Sequence, residues 1–107
     1  MSKKKKYNKH LEKGRFYSVN GHPGYVYWKN DKKNRYKALV TGTSEGRHKT
    51  LLKYPTEKGI SKSYVNNRPV LGKRKHFGSK QLLGMKFNKE DKNLLNVIKR
   101  RKSVILK

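Results

Sequence analysis

The chain has 107 residues, and its 30 Lys and Arg against 6 Asp and Glu give a net charge of +24 at pH 7. This length suffices for one domain, and the absence of cysteine excludes disulfides, thiolate metal sites and thiol catalysis. No apolar segment approaches the roughly 20 residues that cross a bilayer, and no signal-peptide core follows the N-terminal lysines. We therefore expect a cytoplasmic protein without a membrane partner.

The net charge is the clearest indication of a partner. Positive charge of this density repels itself in the compact state, and the phosphates of a nucleic acid relieve that repulsion while releasing their counterions. A protein of the membrane surface would concentrate its charge on one amphipathic helix, whereas here the charge extends over the whole sequence. We expect a nucleic acid, RNA in particular, as the partner.

Residues 1–15 are expected to form a flexible basic arm in front of a single domain that covers residues 16–107. The arm carries seven Lys or Arg, and Leu11 is its only aliphatic residue after Met1. So few apolar side chains predict that none of them is buried cooperatively.

Strand signals follow, rich in β-branched and aromatic residues and separated by turn formers. The predicted strands are residues 24–29, 36–41, 49–54 and 63–70, with Pro69 placing the end of the last one at an edge or a bulge. The first two should form a hairpin across the polar loop 30–34. Residues 72–79 are too polar and glycine-rich for a regular element, which predicts an exposed basic loop.

The C-terminal segment has the pattern of a helix over about residues 88–102. Asn88 is a suitable N-cap, with Asp91 three residues later, and Leu94, Leu95 and Ile98 make a narrow apolar stripe. Short antiparallel strands followed by one helix predict a mainly β (β+α) fold. We expect a small SH3-like antiparallel barrel or half-barrel with one C-terminal helix and a basic N-terminal arm.

Three sequence segments, in this order, give the chain a resemblance to a known family: residues 24–27 (GYVY), residues 35–43 (RYKALVTGT), and a third in two parts, residues 63–65 (SYV) followed by residues 83–91 (LGMKFNKED). The pattern resembles the MazF/PemK group of toxin endoribonucleases, which are SH3-like barrels with a C-terminal helix. The resemblance implies RNA cleavage, a dimer and an acidic antitoxin-like protein partner. The catalytic Thr or Ser of that group matches Thr41 or Thr43. Its basic residue has no counterpart in the short loop 30–34, and Arg35 is the nearest arginine.

The residue types themselves indicate a related chemistry. Cleavage of RNA by its own 2′-hydroxyl needs a base, a cation beside the phosphate and an acid, and it needs no metal or other cofactor. Glu45, Arg47 and His48 supply these three groups within one turn. The alternative is a plain hairpin turn in which Glu45 balances Arg47. His22 enters the first predicted strand from a rigid loop and is either a second functional imidazole or an exposed residue without a role.

Other residues are candidates for binding RNA. Tyr25 and Tyr27 alternate with Val26 and Trp28, so one pair should face the core and the two tyrosines should form a stacking platform, unless they pack beneath the arm or the helix. Arg68 suits bidentate contacts. The remaining candidates are basic residues that would contact backbone phosphates: Lys73, Arg74, Lys75, His76, Lys99, Arg100 and Arg101.

Three hypotheses follow from the sequence. The first is an RNA-binding protein that acts as a metal-independent endoribonuclease of the MazF type. The second is a non-catalytic RNA-binding or ribosome-associated protein, which needs neither Glu45 nor His48. The third is an inhibitor that binds a nucleic-acid enzyme. The oligomeric state stays open, because the family resemblance implies a dimer while the repulsion between two chains of +24 favours a monomer. No metal-ligand spacing is recognisable.

Overall fold

A computed structural model describes residues 10–107 as eight short strands and one helix. The strands are β1 (Phe16–Val19), β2 (His22–Asn30), β3 (Arg35–Gly42), β4 (Lys49–Leu51), β5 (Tyr64–Asn66), β6 (Val70–Gly72), β7 (Phe77–Leu82) and β8 (Val104–Ile105). Helix α1 spans Lys92–Lys99, and single 3-10 turns cover Arg74–His76 and Lys89–Asp91. No helix in this described part is long and apolar enough to cross a membrane.

The strands form one sheet in the order β4-β5-β3-β2-β1-β7, with β6 joined to β3 and β8 joined to β6. All pairs are antiparallel except β6 and β8, which run parallel. The mainly β fold with one C-terminal helix is therefore confirmed, as is the hairpin of β2 and β3. Within residues 10–107 the sheet does not close into a barrel, since β4 and β7 stand at its two ends.

A β-bulge in β2 changes which side chains share a face of the sheet. Val26 pairs with Ala38, but Trp28 pairs with Lys37, so Tyr27 is the additional residue. Residues directly opposite each other share a face, and Lys37 and Ala38 are neighbours on β3. Trp28 therefore lies on the face opposite Val26. The prediction that these two residues share a face is wrong, because strict alternation does not survive the bulge.

The main core lies on the Val26 face. It consists of buried side chains from five strands and from the segment before β1: Leu11, Tyr17, Val19, Val26, Tyr36, Ala38, Val40, Val70 and Phe77. Because side chains from five strands meet in one cluster, the sheet curves around them.

Leu11 is fully buried, so the prediction that no side chain of residues 1–15 is buried is wrong at this position. The segment is held by its main chain: the Gly14 N–H donates to the Val26 carbonyl at 2.8 Å, and the Glu12 N–H donates to the Tyr17 hydroxyl at 3.0 Å. A count of apolar residues does not predict main-chain hydrogen bonds such as these. The rest of the predicted arm, residues 1–9, lies outside the described residues.

Asp31 connects this segment to the central hairpin. It accepts a hydrogen bond from the Tyr36 hydroxyl at 3.0 Å, and its carboxylate lies 3.0 Å from the Lys29 ammonium. Lys29 in turn donates to the Leu11 carbonyl at 3.0 Å. The hydrogen bond from Lys29 lowers the pKa of Asp31, while burial and the neighbouring Asp31 raise the pKa of Tyr36.

A second core lies on the opposite face, between the sheet and α1. Leu95 and Ile98 of the helix pack on Leu39, Leu52 and Val65, as the apolar stripe predicts. Four partly buried side chains pack against the rim of this core: Tyr25, Tyr27, Phe87 and Leu94.

Asn88 caps the 3-10 turn Lys89–Asp91 that leads into the helix, since its side chain accepts a hydrogen bond from the Glu90 N–H at 2.8 Å. The predicted helix start near residue 88 is wrong, because α1 itself begins at Lys92. The predicted end near residue 102 is wrong, since the helix stops at Lys99. The reason is tertiary: the Val104 N–H donates to the Pro69 carbonyl at 2.8 Å, which begins the parallel pairing of β8 with β6.

The basic loop predicted over residues 72–79 is also wrong, because it contains a 3-10 turn and the start of β7. Phe77 is buried in the main core, and the Arg74 guanidinium donates to the Phe77 and Gly78 carbonyls at 3.1 Å each. A Cβ on Gly78 would lie 3.2 Å from the Ser18 Cβ, so a glycine permits the close approach of β7 to β1.

Substitution of Leu11 tests whether the segment before β1 belongs to the folded domain. Leu11→Ala should lower the free energy of unfolding by about 2–5 kcal/mol, because it leaves a cavity in the main core. Urea denaturation measures the loss. The matched control is Leu83→Ala, since Leu83 is 81% exposed and its truncation should stay within about 0.5 kcal/mol. Equal small effects of the two variants would contradict the burial of Leu11.

Candidate nucleic-acid interface

A cationic cleft lies where the chain passes from β5 to β6. It has a volume of about 500 Å³ and is lined by Gly46, Arg47, His48, Lys49, Asn66, Asn67, Arg68, Val70 and Val104. We call it the arginine cleft. None of these described lining residues is acidic, so the cations lining the cleft outnumber its lining carboxylates. Its walls combine cations with two amides and two valines.

Hydrogen bonds hold the walls of the arginine cleft together. The Asn67 N–H donates to the His48 carbonyl at 2.8 Å, and the Thr50 hydroxyl donates to the Asn67 side chain. These bonds fasten the turn that carries Arg47 and His48 to the segment that carries Arg68. The cleft is therefore a fixed part of the fold.

The arginines of the cleft region have different surroundings. The Arg68 guanidinium donates to the carbonyls of Lys102 and Ser103 at 2.9 and 3.3 Å, and Arg101 donates to the Asn67 carbonyl at 3.1 Å. These two side chains fasten the segment after α1 to the cleft. Arg47 is exposed, and no hydrogen bond or ion pair to its side chain is seen within residues 10–107. Its guanidinium is therefore available to a phosphate.

A second cleft, of about 330 Å³, adjoins the ends of β2 and β3. We call it the threonine cleft. The residues with useful chemistry that line it are His22, Thr41, Thr43, Ser44, Lys49 and Glu57. Thr41 is buried and donates to the Pro23 carbonyl at 3.4 Å, whereas Thr43 is exposed. Thr43 is thus the better placed of the two hydroxyls for a ligand.

The structure divides the predicted catalytic turn between these clefts. Thr43 lines the threonine cleft, Arg47 and His48 line the arginine cleft, and Lys49 borders both. Glu45 is exposed and lines neither cleft. The three catalytic candidates Glu45, Arg47 and His48 therefore do not converge on one ligand position, because Glu45 lies outside the cleft that the other two line.

Arg35 is not brought to the threonine residues. It begins β3, whereas Thr41 lies six residues further on, about 20 Å away along an extended strand. Its guanidinium donates to the carbonyls of Lys33 and Asn34 at 3.2 Å each. Arg35 therefore belongs to the opposite end of the hairpin.

The threonine cleft also contains His22 and Glu57, which the sequence analysis does not place beside Thr43. His22 arrives there through the hairpin register: Gly24 pairs with Val40, so continuation by two residues sets His22 opposite Gly42. A Cβ on Gly42 would indeed lie 3.6 Å from the His22 Nδ1. The signal for His22 was therefore present in the predicted hairpin, whereas nothing local indicated Glu57.

The two tyrosines proposed as a stacking platform pack between the sheet and the helix. The Tyr25 ring lies 5.2 Å from the Phe16 ring and 5.1 Å from the Phe87 ring. The Tyr27 hydroxyl donates to the Lys99 carbonyl at 3.4 Å, and burial raises the pKa of Tyr27. Both are half-buried, as in the alternative in which they pack beneath the helix.

The remaining basic candidates are dispersed. Lys73 and Lys75 are exposed beside the 3-10 turn, and Arg100 is exposed at the end of α1. The Lys99 ammonium lies 5.7 Å from the centre of the Tyr27 ring. His76 has a defined role in the turn, since its Nδ1 accepts a hydrogen bond from the Lys73 N–H at 2.8 Å.

Comparison with known proteins does not assign the chain to a family. The chain matches no protein-family model, no curated protein and no solved structure. The resemblance to the MazF/PemK group rests on the three sequence segments and stays a prediction.

Proposed function

We propose that the protein binds RNA and that the arginine cleft takes the backbone phosphates. The observation that carries this proposal is the grouping of Arg47, His48, Lys49 and Arg68 around one cleft without a lining carboxylate, on a chain of net charge +24. An uncompensated cationic cleft attracts phosphates and gains from the release of their counterions. As part of this proposal, the open sheet with its helix is an SH3-like half-barrel of the MazF/PemK kind.

The other lining residues suit a nucleotide better than a bare anion. Asn66 and Asn67 place amides in the cleft, and amides pair with the edges of unstacked bases. Val70 and Val104 add an apolar wall against which a sugar or a base can pack. A cleft of about 500 Å³ has room for a nucleotide, so we favour single-stranded RNA as the ligand.

The salt dependence of binding tests this proposal directly. Each phosphate contact to a single strand contributes about 0.7 to the slope of log affinity against log salt, so the double variant Arg47→Ala, Lys49→Ala should lower the slope by about 1.4. Fluorescence anisotropy of a short labelled RNA at several salt concentrations measures this slope. The double variant Arg15→Ala, Lys80→Ala removes the same charge from exposed positions outside the cleft and should change the slope less.

Two results would contradict the proposal. Equal changes of slope in the two double variants would mean that the net charge binds RNA without a defined site. No binding at low salt would rule out RNA and leave an acidic protein as the partner.

The threonine cleft favours a second candidate, a metal-independent endoribonuclease. In this hypothesis Glu57 acts as the base, His22 as the acid and Lys49 as the cation beside the phosphate, because all three line the threonine cleft. In this reaction the 2′-hydroxyl gives its proton to Glu57 while its oxygen attacks the adjacent phosphorus. The bond from phosphorus to the 5′-oxygen breaks, His22 protonates that oxygen, and a 2′,3′-cyclic phosphate remains.

A matched pair of glutamate variants tests the enzyme hypothesis. In EDTA the wild type should cleave RNA, and Glu57→Gln should slow cleavage by about 100-fold or more while binding persists, because the base is lost. Glu45→Gln should retain activity, since Glu45 lines neither cleft. Gel electrophoresis of the RNA gives the rates. Intact RNA with the wild type would rule out the enzyme and leave the non-catalytic binder, and loss of activity in Glu45→Gln alone would return the site to the turn.

A further inference from the structure

Among residues 10–107, α1 covers only part of the sheet face on which it packs. Across it runs a row of four residues in register on adjacent strands: Trp28 pairs with Lys37, Lys37 with Leu71, and Leu71 with Ile105. Residues paired in this way share a face, and adjacent strands lie about 4.8 Å apart, so the row is about 14 Å long. We call it the Trp28 row. Trp28 is 39% exposed and Ile105 is 66% exposed.

The bulge in β2 creates this row. If β2 alternated regularly through Tyr27, Trp28 would lie on the same face as Val26, in the main core. The bulge instead brings it beside Lys37, on the same side as Leu39, which α1 covers. The helix therefore shields one end of the face and leaves an indole at the other end in contact with solvent.

One cation lies within the row and two more lie beside it. The Lys37 ammonium lies 5.2 Å from the centre of the Trp28 ring, within the range of a cation–π contact. Arg35 and Lys73 line a shallow depression of about 170 Å³ together with Leu71 and Ile105, and the described residues lining that depression include no carboxylate. The row thus presents an aromatic ring, aliphatic side chains and three cations.

The combination of an aromatic ring with cations favours some ligands of the row over others. A second copy of the chain would place two surfaces rich in cations against each other on molecules of +24, which is unfavourable. A folded duplex offers phosphates but keeps its bases stacked and out of reach. A single strand offers both unstacked bases for the ring and phosphates for the cations.

We propose that the Trp28 row is a stacking platform for single-stranded RNA, with an unpaired base on the Trp28 ring and the flanking phosphates on Lys37, Arg35 and Lys73. This inference rests on the proposed binding of RNA and names the form of RNA and a contact outside both clefts. Stacking on an aromatic side chain tolerates any base, so the row contributes affinity for single strands without selecting a sequence.

Trp28 is the only tryptophan of the chain, so its fluorescence reports on this position alone. The probes are an oligouridine about eight nucleotides long, within the site size of common single-strand binders, and inorganic polyphosphate of equal charge, which has no bases. Oligouridine should quench the fluorescence as it binds. Polyphosphate should bind with much less quenching.

Variants connect the signal to binding. Trp28→Ala should weaken the affinity for oligouridine by about 5- to 150-fold, the range for loss of one stacked base, and should leave the affinity for polyphosphate unchanged. Trp28→Phe should recover most of the loss. Leu83→Ala, which truncates another exposed apolar residue away from the row, should bind like the wild type.

The outcomes separate this inference from the proposed function. Binding of oligouridine without quenching, or equal affinities of Trp28→Ala and Leu83→Ala, would overturn the platform and leave the arginine cleft intact. A dimer that dissociates in Trp28→Ala, seen by sedimentation, would assign the row to a second copy and also overturn it. Failure of the wild type to bind either probe would overturn the proposed function and the platform together.

Discussion

The pairing of β2 with β3 is the constraint on which the rest of this structure depends. β3 pairs with β2 along most of its length, while its other edge is shared by β6 near Tyr36–Ala38 and by β5 at Thr41–Gly42. The chain between β5 and β6 crosses the gap between these two pairings, and its residues line the arginine cleft. The same hairpin register sets His22 opposite Gly42 and so places it in the threonine cleft.

The distribution of the few acidic residues explains why no carboxylate lines the arginine cleft. Glu12 lies 3.8 Å from Arg15 and Glu90 lies 3.1 Å from Lys53, both at the surface. Asp31 fastens the segment before β1 to the hairpin, and buried Asp91 accepts hydrogen bonds from the Lys53 and Tyr54 N–H groups at 2.8 and 3.3 Å. Four of the six carboxylates therefore stabilise local structure, while Glu57 lines the threonine cleft and the exposed Glu45 lines neither cleft.

The sequence predicts the parts of this fold that depend on local patterns. The hairpin of β2 and β3, the N-cap at Asn88 and the apolar stripe of α1 follow from turn formers, capping and periodicity. The Asn20-Gly21 turn between β1 and β2, with φ of 52° and 82°, is also typical of a local hairpin signal. The burial of Leu11, the bulge at Tyr27 and the pairing of β8 with β6 depend on distant partners, so no local pattern could predict them.

The candidate site divides in the same way. The sequence groups Glu45, Arg47 and His48 because they are close in the chain, but only Arg47 and His48 line the arginine cleft and Glu45 lines neither cleft. Glu57 reaches the threonine cleft only through tertiary contacts, and Trp28 reaches the surface only through the bulge. The residue types predict a nucleic-acid ligand, whereas the bulge and the strand register determine which side chains are exposed to bind one.

The most direct test of this account is photo-crosslinking of single-stranded RNA that contains thiouridine, followed by mass spectrometry of the crosslinked peptides. The account predicts crosslinks within residues 46–49 and 66–68, the two segments that form the arginine cleft. Competition by high salt should remove them, because phosphate contacts hold the strand. Crosslinks confined to segments outside the arginine cleft and the Trp28 row would contradict the account, since RNA would then be bound by charge elsewhere on the chain.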